Sequence, residues 1–218
     1  MDNMRKIILA TVLVLLLLNR VEAQFAKGTY LTGADIGFGA NTADNLQGSV
    51  SKATSYRFGA AVGKTFNGSR FWGVRINFNA SQSKLGDVVG TRSNTLGGGV
   101  FMRQYVTIAK DFYAFGQASA DVGVGNNKSL QPNTTNLVTV ARSTNVNLSV
   151  AVGASYRIYK KMHLELSLPN LALTYYQHMR SFNNAGNVSG KSSHFGLETA
   201  FANNSGLNNV GLGFRLLL

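Results

Sequence analysis

The chain has 218 residues, of which 44% are hydrophobic and 14% are charged, with 24 glycines, 2 prolines and no cysteine. The lack of cysteine excludes disulfides and cysteine-ligated zinc, and the three histidines (His163, His178 and His194) are too few for a histidine-rich metal site. The net charge of +12 is spread along the chain rather than clustered on one segment, so we predict no nucleic-acid partner. Anionic lipid head groups or surface polysaccharide suit such charge better.

Residues 1–23 have the three parts of a secretory signal peptide. Arg5 and Lys6 supply positive charge, Ile7 to Leu18 is an uninterrupted apolar run, and Val21 and Ala23 stand at the small-residue positions of a cleavage site. The apolar run is shorter than the about 20 residues that a transmembrane helix needs. We therefore expect cleavage after residue 23 and one mature domain, residues 24–218, outside the cytoplasm.

The first half of the mature chain alternates apolar and polar residues, which predicts β-strands with unlike faces. In one segment Ile76 and Phe78 share the apolar face, while Arg75 and Asn77 share the polar one. The segments with this pattern are residues 28–39, 54–64, 71–82 and about 94–108. They predict the first four strands.

The second half continues the same pattern. Its clearest segment, residues 144–159, places Val146 and Val150 on one face and Asn145 and Asn147 on the other, over a length well beyond the about 5–6 residues of an ordinary strand. The predicted strands of this half are residues 112–125, 144–159, 163–177 and about 193–218.

Two of these predicted strands are irregular. Pro169 interrupts the seventh, because proline has no N–H to donate to a neighbouring strand. In the eighth, the apolar face changes from odd positions (Phe195, Leu197) to even ones (Leu212, Phe214). A bulge within one strand and a pair of shorter strands both explain the change.

The connections alternate between short and long. Tight turns are predicted at 64–70, which contains Asn67–Gly68, and at 108–112 and 158–162. The longer polar stretches are residues 40–53, 84–93, 126–143 and 179–192. Short turns at one end and longer loops at the other are typical of outer-membrane barrels.

The alternating faces fit two kinds of barrel. In a secreted lipocalin-like carrier the apolar face surrounds a ligand, whereas in a membrane barrel it meets lipid. A strand needs about 9–11 residues to cross a membrane, and most of the predicted strands reach that length, which favours lipid. So do the small residues of the polar face and the aromatic residues near strand ends, such as Trp72, Tyr113 and Tyr159.

The polar face also carries ionic side chains that are expected inside the barrel. They are Asp35, Arg57, Arg75, Arg103, Asp121, Arg157, Glu165 and Arg215, with Glu198 joining them if its face is inward. Ions in a narrow interior are costly unless they are paired, and folding about the turns favours the pairs Arg157–Glu165 and Asp35–Arg57. We interpret the set as a charge-paired plug, with a proton or solute relay as the functional alternative.

The segments LELSLPNLALTYY (164–176), FGLETAF (195–201) and VGLGFRLLL (210–218) resemble the C-terminal hairpin of a family of small outer-membrane β-barrel domains, the porin-like family of Bacteroidota. This resemblance covers residues 24–218 in length and strand count. It implies an outer-membrane location and insertion by the outer-membrane assembly machinery, which reads the last strand.

An enzyme is the third class of function to consider. QHMRSFNNAG (177–186) is faintly similar to the His and Ser motif of outer-membrane lipid A deacylases. His178 and Ser181 are three positions apart, however, and on a strand they face opposite sides. Glu198 has no evident proximity to either. We therefore predict no enzyme, no catalytic residue, no cofactor and no metal site.

Together these features predict an all-β protein with a single closed, antiparallel, up-and-down transmembrane barrel of about eight strands. Its predicted role is structural or adhesive, through the loops 126–143 and 179–192. The expected neighbours are outer-membrane lipid and lipopolysaccharide, and a monomer is expected. The loop ligand is not specified by the sequence.

Overall fold

The computed structural model describes residues 25–44, 50–85, 88–130, 136–183, 186–199 and 211–218. The predicted signal peptide, residues 1–23, lies outside the described residues, so its cleavage and the domain boundary stay predictions. In the described ranges no helix has the length and apolar character needed to cross a membrane.

The described chain forms nine antiparallel strands in one sheet. They are β1 (Tyr30–Asp44), β2 (Val50–Asn67), β3 (Arg70–Leu85), β4 (Val88–Ala109), β5 (Phe112–Leu130), β6 (Leu137–Tyr159), β7 (Met162–Phe182), β8 (Val188–Thr199) and β9 (Gly211–Leu217).

The sheet closes into a ring of eight strands. Strands β1 to β7 pair in sequence order, and β9 pairs with both β7 and β1. Starting from Ala34 on β1, successive directly opposite residues on β2, β3, β4 and β5 end at Val146 on β6. In the other direction they pass through Phe214 on β9 and Leu164 on β7 and end at Tyr156, which is also on β6. Val146 and Tyr156 are ten residues apart along β6. This offset is the stagger of a closed barrel, whose strands tilt by about 35–45° relative to the barrel axis.

Apolar side chains cover the outside of this ring. Ile76 is 62% exposed and Val150 is 42% exposed, whereas Asp121, on the other face of its strand, is buried at 5%. The predicted closed membrane barrel is therefore confirmed. The lipocalin-like alternative required these apolar residues to line a central cavity, and it is wrong because they face outward.

The tail forms two strands rather than one. β9 pairs with Met162–Ser167 of β7, and β8 pairs with Ala172–Phe182 of the same strand. The register of β7 against β6 shifts between these two stretches, where Pro169 lies. Exposed Phe195 and Leu197 on β8 and exposed Leu212 on β9 reproduce the change of face predicted from the sequence.

The strands are longer than the alternating pattern predicted. β5 continues to Leu130 and β7 to Phe182, through much of the polar stretches 126–143 and 179–192. The segments between the outer strand ends include residues 45–49, 86–87, 131–135 and 184–185, which lie outside the described residues. At the other end the turns are as short as predicted, with positive φ at Asp111, Lys160 and Gly68.

Candidate functional site

The interior is filled by aromatic rings at the end with the short turns. Inward positions of neighbouring strands place Phe71, Tyr105, Tyr113 and Phe115 there, each at most 7% exposed, and Phe25 packs among them. The ring centroids of Phe25 lie 5.4 Å from Phe71 and 5.5 Å from Tyr105. Edge-to-face contacts at these distances stabilise a dry core. These five residues are called the aromatic cluster below.

Above the aromatic cluster, Glu165 on β7 joins side chains of β4 and β9. Its Oε2 accepts a hydrogen bond from Arg103 Nη1 at 2.6 Å, and its Oε1 accepts one from Tyr105 at 2.5 Å. Arg215 Nε lies 3.3 Å from Glu165 Oε2, without the alignment of a hydrogen bond. Arg215 also pairs with Asp35. A continuous chain of charges therefore connects β1, β9, β7 and β4.

A second ion pair beside this chain spans the width of one strand. Arg75 on β3 donates from Nε to Asp121 Oδ1 at 2.7 Å, although β4 separates their strands. Such a pair is possible because the glycines of β4 leave space between them. A Cβ at Gly99 would lie 2.6 Å from Asp121 Oδ1. The six residues Asp35, Arg75, Arg103, Asp121, Glu165 and Arg215 are called the ion-pair layer below.

Two of the predicted interior arginines lie outside this layer. Arg57 donates from Nε to Asn79 Oδ1 at 3.0 Å on the neighbouring strand. Arg157 lies at the end with the short turns, where its Nε donates to Asp111 Oδ1 at 2.7 Å. Its side chain is 40% exposed, so it belongs to the rim rather than to the interior.

Both predicted ion pairs are therefore wrong. Arg157 was expected to pair with Glu165, but the register places it opposite His163, and Asp111 reaches it from the adjacent turn. Asp35 was expected opposite Arg57, but it lies opposite Gly59 and pairs with Arg215 on β9, the strand that closes the ring. Sequence reasoning missed Asp111, although its position in a predicted tight turn beside β6 was a usable signal.

A cavity of about 320 Å³ adjoins the ion-pair layer. Polar side chains on its wall include Asn77, Asn79, Ser93, Thr95 and Asn147. Its volume is at the small end of ligand pockets. Among the described residues no group of three or more histidines or carboxylates has the arrangement of a metal site.

The residues of the hydrolase alternative do not come together. His178 is on the outward face of β7, whereas Ser181 pairs with Ala141, whose side chain is buried on the inward face. His178 Nδ1 instead lies 3.1 Å from Ser193 Oγ, which also accepts a hydrogen bond from Tyr176 at 3.1 Å. Within the described ranges no carboxylate contacts His178, so the third member of a catalytic triad is not in place.

No protein-family model matches the chain, and no curated protein matches it significantly. Among solved structures, Neisserial surface protein A is 13% identical over 88% of this chain and 98% of that one, with a TM-score of 0.40. A major outer membrane protein from Thermus thermophilus is 12% identical over 86% and 99%, with a TM-score of 0.47. The attachment invasion locus protein of Yersinia pestis is 12% identical over 88% and 100%, with a TM-score of 0.33.

Likeness at this level says nothing of function, so the assignment rests on the molecule itself. Strands cross a bilayer only as a closed ring, because every backbone group must be paired there. The ring is closed, and its apolar side chains point outward. The molecule is a small outer-membrane β-barrel. The outer-membrane location predicted from the sequence agrees with this architecture, whereas membership of the porin-like family stays a prediction.

Proposed function

We propose that this barrel is non-catalytic and does not conduct solutes, and that its role is structural or surface contact at its outer end. The observation that supports this most directly is the ion-pair layer. The chain Asp35–Arg215–Glu165–Arg103 reaches across the interior, and the aromatic cluster fills the space beneath it. An eight-stranded barrel is only wide enough to be filled by side chains, so we expect no open path for ions.

The length of the strands supports a contact role for the outer end. β4 has 22 residues, β6 has 23 and β7 has 21, about twice the number that a tilted strand needs to cross a membrane. The additional residues lie at the end with the longer connections, and they include polar side chains such as Arg92, Arg142 and Arg180. We infer that the outer halves of these strands stand above the bilayer, where the contact surface includes described parts of the segments 126–143 and 179–192.

The proposal has further parts. Membership of the porin-like family, insertion by the outer-membrane assembly machinery and a monomeric state are all part of it. Absence of catalysis is supported by the arrangement at His178, which has a serine neighbour but no carboxylate contact among the described residues. Mass spectrometry of lipid A after incubation with the folded protein tests this point, and loss of an acyl chain would contradict it.

Reconstitution of the mature chain into planar bilayers tests the closed interior. We expect no stepwise conductance under conditions in which an open porin, added to the same bilayer as a control, conducts. Folding is verified beforehand by the change of gel mobility on heating, which a folded membrane barrel shows. Discrete channel openings from the folded wild-type protein would overturn the proposal.

A further inference from the structure

Three positively charged residues lie side by side on the outward face of the barrel. Arg142 on β6 is directly opposite Arg180 on β7, and Arg180 is directly opposite Lys191 on β8. All three side chains are exposed. Directly opposite residues on neighbouring strands have Cβ atoms about 4.5–5.5 Å apart, and like charges in this arrangement are destabilising. These three residues are called the cation row below.

The protein itself supplies little negative charge near the cation row. From residue 122 to residue 197 the only acidic residue is Glu165, and it is buried in the ion-pair layer. Among the described residues the cation row makes no ion pair, and the guanidinium carbon of Arg142 lies 5.7 Å from the ring centroid of Phe182. The counter-charge is therefore expected from outside the chain.

The position of the cation row matches the head-group region of a lipid leaflet. The nearest apolar row on the side of the short turns consists of Val146, Tyr176 and Phe195, which are opposite one another and exposed. One residue pair further out come Thr144, His178 and Ser193, and the cation row follows next. Each such step along a strand is about 7 Å, so the three cations lie within about 14 Å of the apolar edge.

The same arrangement recurs elsewhere on the outer end. Lys52 on β2 is directly opposite Lys84 on β3, and Arg92 on β4 is directly opposite Lys128 on β5. Like-charged residues therefore face each other at three places around the barrel. Such pairs of like charges are expected where an anionic surface surrounds the barrel. An external anion that binds both cations of a pair replaces their repulsion with attraction.

We propose that the cation row is a binding site for the phosphate groups of a phosphorylated glycolipid of the outer leaflet. The two guanidinium groups offer bidentate donors to phosphate oxygens, and the lysine adds a third charge. Val146, Tyr176 and Phe195 lie beneath them to contact the acyl chains. This inference rests on the proposed membrane orientation, in which the end with the short turns is periplasmic.

The test uses the full mature protein folded in detergent, with native mass spectrometry to measure binding of lipid A that carries both of its phosphates. The probes for comparison are the same lipid A after enzymatic removal of the phosphates, and inorganic phosphate alone. The variant is Arg142→Gln/Arg180→Gln/Lys191→Gln. The matched control, Lys110→Gln/Lys160→Gln/Lys161→Gln, removes the same charge from exposed positions at the opposite end.

We expect the triple variant of the cation row to bind phosphorylated lipid A at least about tenfold more weakly than wild type, and the control variant to change binding less than about twofold. Arg180→Gln, at the centre of the row, is a milder second variant and should lose about threefold. Equal binding of phosphorylated and dephosphorylated lipid, equal losses in the two triple variants, or binding of inorganic phosphate as tight as that of the lipid would each overturn the inference. Conductance in the bilayer experiment would reject the closed barrel without affecting this result.

Discussion

Glu165 is the residue on which the interior charges depend. Two arginines share its carboxylate, Arg103 by a hydrogen bond and Arg215 at 3.3 Å, and Tyr105 donates to its other oxygen. The Glu165 side chain is 1% exposed, so water does not screen these interactions. Its negative charge therefore compensates two cations that have almost no access to solvent.

Replacement of this carboxylate should destabilise the barrel strongly. In Glu165→Gln the side-chain volume is kept, but Arg103 and Arg215 lose their shared anion, and breaking a buried pair in this way costs about 3–5 kcal/mol. Urea unfolding in lipid vesicles, followed by the fluorescence of the single tryptophan, Trp72, measures the loss. Glu198→Gln, at an exposed position on β8, is the control and should change the free energy of unfolding by less than about 1 kcal/mol. Equal effects of the two substitutions would contradict this account.

At the residue scale, the sequence predicts which side chains point inward but not which of them meet. The alternation of faces was enough to place Arg75, Arg103 and Glu165 inside. Their partners depend on the stagger around the ring, which brings Asp35 to Arg215 through the closing strand rather than to Arg57 through the first hairpin. Stagger is a property of the closed barrel, and no local pattern reports it.

At the scale of elements, polar composition marked where the outward apolar band ends rather than where a strand ends. β6 begins at Leu137, although alternation is clear only from residue 144. Backbone pairing continues beyond the outward apolar band because the adjacent strand continues too, as the pairs Asn126–Arg142 and Asn127–Ala141 show. The interruptions of the seventh and eighth elements were predicted more closely, since Pro169 in the seventh and the change of face in the eighth are both local signals.

In three strand pairs an aromatic ring packs over a glycine of the neighbouring strand. Phe115 faces Gly153, Phe101 faces Gly73 and Tyr175 faces Gly196 across neighbouring strands. A Cβ at Gly153 would come within 2.5 Å of the Phe115 ring and 2.4 Å of the Leu166 carbonyl oxygen. A glycine at such a position is required by its neighbour's ring rather than by its own backbone angles.

Gly153→Ala should therefore displace Phe115 from its position in the aromatic cluster, where its ring lies against Arg103 of the ion-pair layer. We expect a loss of about 1–3 kcal/mol in the free energy of unfolding, the usual cost of overpacking. The control is Gly116→Ala on the neighbouring strand, where an added Cβ meets nothing within 4 Å. The same unfolding assay in lipid vesicles applies, and a Gly153→Ala protein as stable as Gly116→Ala would show that the ring is not fixed by this contact.

At the scale of the whole molecule, the sequence predicted the number of strands in the ring and the side that meets lipid. Both predictions depend on repetition of the same pattern. One alternating segment fits many folds, whereas eight such segments of similar length, joined by alternating short and long connections, fit few architectures. The remaining ambiguity lay between lipid outside and ligand inside. It was resolved by the outward orientation of residues such as Ile76 and Val150.

That orientation has a measurable consequence for the bilayer. Ile76 lies between Val74 and Phe78 in the outward apolar row of β3, and Gln82 lies on the same face further toward the outer end. In Ile76→Lys the charge enters the hydrocarbon, and a cost of about 2–4 kcal/mol is expected near the midplane of a membrane barrel. Gln82→Lys, beyond the apolar band, should cost about 0–1 kcal/mol. Reversible unfolding in lipid vesicles measures both values. In a water-soluble barrel the two outward positions would tolerate lysine equally. Similar small losses for both variants would therefore contradict the conclusion that lipid surrounds the barrel.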